Sequence, residues 1–193
     1  KYFGMYVESA TNPLFNGVDK SKTPDTYLGE VARVAGVYAF QNKDYQLADK
    51  YVDVAMQDTA AYKDALNLKL YIMQQGLKTH EDSVQYVNKL KTLYEKDSNN
   101  DQIFSTLVTM CGSLKMATEQ NKLLNDKLAA DPSNALAWAL KGQIFMNENK
   151  PKEAIDCFKK SVAKDDKNPI VLTYLGFCLN AQAGSINGNK TEQ

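Results

Sequence analysis

The stretch that decides the fold is Ser133-Asn-Ala135-Leu-Ala-Trp138-Ala139-Leu-Lys-Gly142-Gln-Ile-Phe145-Met-Asn-Glu-Asn149-Lys-Pro151-Lys-Glu-Ala154-Ile155-Asp-Cys157-Phe158-Lys-Lys-Ser161-Val162-Ala-Lys164. Ala135, Trp138, Ala139, Gly142 and Phe145 recur at helical spacing, and after a break at Asn149-Lys-Pro151 so do Ala154, Ile155, Phe158 and Val162. Upstream, Asp131-Pro132-Ser133 stops one helix and caps the next, because a serine oxygen can accept an orphan backbone N–H. Pro151 is tolerated in a first helical turn, where its missing N–H would have no partner anyway. The pattern predicts a helical hairpin with a short turn.

The same pattern returns elsewhere in one register. Gly142 is followed 34 residues later by Gly176, in the contexts Trp138-Ala-Leu-Lys-Gly142 and Leu172-Thr-Tyr-Leu-Gly176. Gly36 precedes Ala48 by twelve residues, as Gly142 precedes Ala154, and seven residues further on stand Ala55 and Ser161. Such a fixed period marks a stack of supersecondary units, none of which buries its apolar face alone. The small residues have a physical reason. Where two helices cross closely, only Gly, Ala or Ser lets the backbones approach, and aromatic rings fill the gaps beside the crossing. Glycine inside a helix costs about 1 kcal/mol relative to alanine, so packing must compensate.

On these residues the chain resembles the tetratricopeptide repeat family. That pattern has aromatics at positions 4, 11 and 24, small residues at 8, 20 and 27, and proline at 32. The 133–164 unit supplies Trp138, Gly142, Phe145, Ala154, Phe158 and Ser161, and departs from the pattern with Asp166 in place of the proline. The Thr23–Thr59 unit supplies Tyr45, Ala48 and Ala55 but has Ala32 at position 4. Two middle units, Ala61–Lys96 and Asn100–Asp131, keep Tyr71, Ser83, Leu90, Leu107, Leu124 and Pro132 and lack the glycines. The resemblance implies an all-α fold, a right-handed α-α superhelix of helix–turn–helix repeats. One solenoid is expected over 1–183, with a lone helix at 1–10, a loop at 11–24, hairpins at about 25–57, 61–96, 100–130 and 134–164, and a lone helix at 168–183. A polar tail, 184–193, follows. Lys1–Val7 lines up with Lys50–Met56, a second helix, whereas Asn168–Ala183 reads as a first helix capped by Asn168, with Pro169 in its first turn. These two ends suggest a piece of a longer, bacterial multi-repeat protein. The segment Thr11–Pro24 carries the turn-forming pairs Asn12-Pro13, Asn16-Gly17 and Thr23-Pro24, and reads as a solvated insertion loop rather than a binding loop.

Composition narrows the function. Lys plus Arg (23) equals Asp plus Glu (23), and Arg33 is the only arginine. No basic excess is gathered for nucleic acid, which is therefore not an expected partner. No run of about 18 apolar residues exists, so membrane insertion is not expected either. Cys111, Cys157 and Cys178 match neither a CxxC pair nor a zinc site and read as buried free thiols, with a Cys157–Cys178 disulfide left open for an oxidising compartment. The compartment stays open between cytoplasm and periplasm.

No nucleophile elbow, P-loop or HExxH motif is present, so neither an enzyme nor a cofactor or metal site is expected. The single histidine, His80, follows Thr79, whose spacing to Asp82 reads as a helix N-cap with His80 exposed in the first turn. Of the 11 tyrosines, Tyr45, Tyr51, Tyr71 and Tyr86 fall at core positions of hairpins. In the family the first helices line a concave groove. Carried over by register, the groove residues are Arg33, Val37 and Gln41, then Asn67, Tyr71 and Gln74, then Ser105 and Thr109, then Gln143 and Asn147, and finally Tyr174, Phe177 and Asn180. Tyr174 and Phe177 admit a second reading, burial by a further helix. A clamp of Lys and Arg for an acidic peptide tail is not supported, because these positions carry one arginine among amides, hydroxyls and aromatics. The expectation is a non-catalytic scaffold that binds a peptide or protein in its groove. A spacer or self-association module is the alternative, forming a homodimer through exposed end helices, as is a regulatory module of a larger multidomain protein.

Overall fold

The computed structural model describes residues 1–12 and 25–188, with side chains placed as far as 184; most of the expected loop at 11–24 lies outside the described residues. Among the described residues the chain is all-helical, and it divides into two compact units, Lys1–Asp82 and Ser83–Gln193. The fold class is that of a TPR-like α-α superhelix.

The first unit holds α1 (Tyr2–Thr11), α2 (Leu28–Gln41), α3 (Tyr45–Ala55) and α4 (Tyr62–Gln75). Its core is built largely of alanine: Ala32, Ala35, Ala39, Ala48, Ala55 and Ala65 are buried with Val7, Val52 and Ile72. Small side chains permit close crossing, and at Gly36 a Cβ would stand 2.8 Å from Val52 Cγ2. Polar ties join the helices at their margins. Tyr51, buried in α3, donates from its hydroxyl to Glu8 of α1 at 3.0 Å, and burial followed by that contact raises its pKa. The amine of Lys69 on α4 reaches Asp49 and Asp53 of α3 at 2.7 and 2.8 Å.

The second unit contains nearly all of α5 (His80–Lys96), then α6 (Asp101–Ser113), α7 (Ala117–Ala130), α8 (Ala135–Asn147), α9 (Pro151–Val162) and α10 (Pro169–Gly188). The α8/α9 hairpin packs by the expected glycine and aromatic. A Cβ on Gly142 would lie 2.6 Å from the fully buried ring of Phe158. Ser161, also buried, donates its hydroxyl to the Ala135 carbonyl at 2.8 Å and so needs no water. The indole of Trp138 donates to the Pro132 carbonyl at 2.8 Å, and the Lys160 amine lies 4.1 Å from its ring centre.

The α6/α7 hairpin solves the same crossing differently. Val108 and Gln120 occupy the register positions of Gly142 and Ala154. The Gln120 amide donates to the Val108 carbonyl at 3.0 Å, and Gly112 makes room for it, since a Cβ there would meet Gln120 Nε2 at 2.5 Å. A hydrogen bond and a displaced glycine thus replace a tight small-residue contact.

Three turns repeat in detail. Lys43, Lys115 and Asn149 have φ of 63°, 57° and 57° and occupy one register position, directly after a first helix. In each, the following N–H reaches five residues back: Asp44 to Ala39, Met116 to Cys111 and Lys150 to Phe145, at 3.0, 2.8 and 2.9 Å. The left-handed residue itself bonds three back, to Phe40, Gly112 and Met146. This is the Schellman ending, which satisfies carbonyls a helix leaves orphaned.

Two local expectations are corrected. The cap of α8 is Asn134, whose Oδ1 accepts the Ala137 N–H at 2.9 Å, while Ser133 turns back to Asp131. An Asx side chain one residue nearer the helix has the shorter reach. Helix α10 runs on to Gly188, five residues beyond Ala183. Nothing in Gly184-Ser-Ile-Asn-Gly188 forbids helix: it has no proline, and glycine only weakens propensity. Asn168 does cap α10, accepting from the Ile170 and Val171 N–H groups at 3.2 and 3.3 Å.

Candidate functional site

In the first unit α2 and α4 stand side by side. Arg33 feels the charge of Asp64, and Phe40 meets Tyr71 with ring centres 5.2 Å apart. Arg33 is already engaged, donating to both oxygens of Glu30 one turn back at 2.7 and 2.6 Å. This bond raises its pKa and lowers that of Glu30. It is therefore not a free cation for a peptide carboxylate. Val37 is half-buried, while Gln41, Asn67 and Gln74 are exposed.

Tyrosines separate by helix. Tyr51 and Tyr86 are buried, as core positions require. Tyr45 and Tyr71 are not: they are 38% and 52% exposed and flank Phe40, with Tyr45 at 5.5 Å. Both rings pack on the half-buried Phe40 at the margin of this core. Phe40, which links them, was not singled out from the sequence. Its signal was adjacency to Gln41.

The second unit brings the amides and hydroxyls together. A cavity of about 310 Å³ opens between α6, α7 and α8. Thr109 and Ser113 on α6 face Gln143 and Asn147 on α8 across it, and Val108, Leu140 and Ile144 supply apolar lining. Thr109 and Gln143 are 34 residues apart, as are Ser113 and Asn147, so the polar pairs are one register row repeated. Gln143 is half-buried and Asn147 exposed; Ser113 bonds its own helix at Thr109, 3.2 Å away. Ser113 was legible, standing one turn beyond Thr109, and was missed. Gln120, also lining the cavity, could not be read from the pattern, which asks for a small residue there.

The remaining expected residues are not part of that cavity. Ser105 is half-buried and donates to the Gln102 carbonyl at 3.1 Å. Tyr174 is half-buried with its ring 5.9 Å from Phe158, so it belongs to the packing of α9 on α10. Phe177, on the same helix, is 64% exposed, and Asn180 is exposed.

A second cavity, about 270 Å³, lies on α5, α6 and α7, floored by Leu107 and Leu123 and rimmed by the 2.7 Å Lys91–Glu119 ion pair with Glu95, Lys122 and Asp126.

Solved structures of MamA share this fold. One, described as MamA 41-end from Desulfovibrio magneticus RS-1, aligns with 86% of this chain and 91% of its own at a TM-score of 0.52 and 14% identity. A MamA RS-1 ArsTM double mutant aligns over 82% and 86% at 0.51 and 14%, and a crystal structure of MamA over 81% and 84% at 0.52 and 13%. MamA is itself a TPR-like helical-repeat protein, and at these identities the likeness concerns the fold. No protein-family model and no curated protein sequence matches the chain.

Among the described residues no group of three or more His, Cys, Asp or Glu side chains is placed to hold a metal, and no helix is long and apolar enough to cross a membrane. Cys111, Cys157 and Cys178 are free and buried, and burial raises the pKa of each thiol. Low thiolate content makes them poor nucleophiles. His80 is exposed beside a reciprocal cap: Asp82 donates its N–H to Thr79 Oγ1 at 3.1 Å, and Thr79 donates its N–H to Asp82 Oδ2 at 2.8 Å. The side-chain bond of Thr79, followed by the Lys78 and Thr79 N–H groups, is the main cause of the lowered Asp82 pKa.

Proposed function

We propose that the chain is a non-catalytic binding module whose first-helix faces hold a partner polypeptide in an extended or helical form. The observation that carries this reading is the cavity between α6 and α8, where Thr109, Ser113, Gln143 and Asn147 stand over Val108, Leu140 and Ile144. Carboxamides both donate and accept, so Gln143 and Asn147 suit the N–H and C=O groups of a peptide main chain, while the apolar lining takes a side chain. The lining of this cavity carries no charged side chain, so the recognised segment is uncharged, and its binding should vary little with salt.

Panning a random-peptide phage library on the 193-residue chain tests this. Selected peptides should bind the parent and lose at least tenfold in affinity to a Gln143→Ala/Asn147→Ala double variant whose melting is unchanged. Peptides that bind the variant equally well would refute the site.

Self-association is a second reading, favoured by the exposed apolar faces of α1 and α10.

A further inference from the structure

Two lysines on first helices obey a spacing that the interval between them breaks. Lys69 on α4 donates its amine to Asp53 on α3, 16 residues earlier, at 2.8 Å, and also reaches Asp49 at 2.7 Å. Lys141 on α8 donates to Asn125 on α7, again 16 residues earlier, at 3.2 Å. Each lysine thus reaches back to the preceding second helix with its stem covered: the Lys69 side chain is 12% exposed, and Lys141 is half-buried. Lysine does this readily, laying its aliphatic stem along apolar surface and keeping its charge at a polar margin.

In the interval between them the same two positions are Leu107 on α6 and Lys91 on α5. Leu107 is wholly buried and carries no amine, and Lys91, standing where the acceptor belongs, pairs with Glu119 of α7 at 2.7 Å. Here lies the cavity of about 270 Å³ floored by Leu107 and Leu123. Three carboxylates, Glu95, Glu119 and Asp126, line it against two amines, Lys91 and Lys122. Both amines act on Glu119, lowering its pKa, chiefly through the Lys91 bond. Glu95 and Asp126 are exposed and make no ion pair or hydrogen bond among the described residues. The charge of Asp126 is felt at Tyr94 in the cavity wall, whose pKa is raised by burial first and then by Asp101 and Asp126.

We propose that this cavity takes a lysine side chain from a partner polypeptide, with the stem on Leu107 and Leu123 and the ammonium against Glu95 and Asp126. The partner supplies from outside the amine that Lys69 and Lys141 supply from within the chain in the other two intervals. The site shares no lining residue with the cavity between α6 and α8, and neither depends on the other. Because both carboxylates are exposed, capture weakens as salt rises.

Titrating the isotope-labelled 193-residue chain with Nα-acetyl-lysine amide, followed by backbone amide NMR, tests this. Nα-acetyl-norleucine amide, which keeps the stem and lacks the amine, is the control. The lysine probe should shift the Tyr94, Leu107, Leu123 and Asp126 amide signals saturably, and less so in high salt. The norleucine probe, and the lysine probe on a Glu95→Gln/Asp126→Asn variant with unchanged melting, should each bind about fivefold more weakly. The norleucine comparison uses the parent alone and so stands whether or not the variant folds. Equal binding of the two probes, undiminished binding to the folded variant, or saturable shifts confined to other amides would each overturn the proposal, as would the absence of any saturable shift.

Discussion

Gly142 and Gly176 hold the same register position 34 residues apart, and the structure demands opposite consequences of the same substitution at each. At Gly142, a new Cβ would sit 2.6, 2.7 and 3.0 Å from three ring carbons of Phe158, which is wholly buried and has nowhere to swing. Overpacking of this kind costs about 1–3 kcal/mol. Removing a glycine from a helix interior returns about 1 kcal/mol. For Gly142→Ala the clash wins by roughly 1 kcal/mol, and for Gly142→Leu, which adds three more carbons to the same space, by about 3 kcal/mol or more. At Gly176 only the propensity gain remains, so Gly176→Ala should stabilise by up to about 1 kcal/mol. For a chain of this size each kcal/mol moves the midpoint by about 2–4 °C. Urea and thermal unfolding followed by far-UV circular dichroism would read these shifts. A stabilised Gly142→Ala, or a Gly176→Ala destabilised to the same extent as its counterpart, would refute the proposed crossing at Gly142.

Other substitutions test different parts of the fold. Lys115→Gly should stabilise by about 1 kcal/mol in the same urea titration, because a left-handed conformation costs an L-residue roughly that much and glycine nothing; a loss of stability would contradict the φ of 57° found there. Lys69→Ala should destabilise by about 1–2 kcal/mol, between the values of exposed and buried pairs, since its amine is largely covered while Asp49 and Asp53 are partly open. Burial lowers the Lys69 pKa, but its contacts with the two aspartates outweigh this and raise it above the ordinary 10.5. Its contribution should thus be complete below that value and fade as pH climbs through the raised one, so parent and Lys69→Ala stabilities should converge in strong alkali. A gap that stays constant there would count against the ion pair.

The repeat was legible because its strongest signals are local. Glycine at 142 and 176, alanine at 48 and 154 and aromatics between them recur at a fixed interval, and spacing survives in a sequence without any knowledge of contacts. The same register placed Thr109, Gln143 and Asn147, which the structure gathers around one cavity. It failed where one helix compensates for another. Gln120 is out of pattern until it is seen to bond the Val108 carbonyl across the space Gly112 leaves open. Nor could the left-handed turns be read at Lys43 and Lys115, since the usual mark of that ending is glycine and here hydrogen bonds hold a lysine in its place.

By itself, then, the sequence determined the helical period, the length of the repeat and which positions share a face, because these follow from backbone geometry within a single helix. Only tertiary structure decided which face was covered. Tyr51 and Tyr86 are enclosed while Tyr45 and Tyr71 lie open beside Phe40; Tyr174 turns to Phe158 while Phe177, three residues on, meets solvent. Burial is set by the volume that neighbouring helices leave, and that volume belongs to pairs of helices, with no counterpart in the residue pattern of either one.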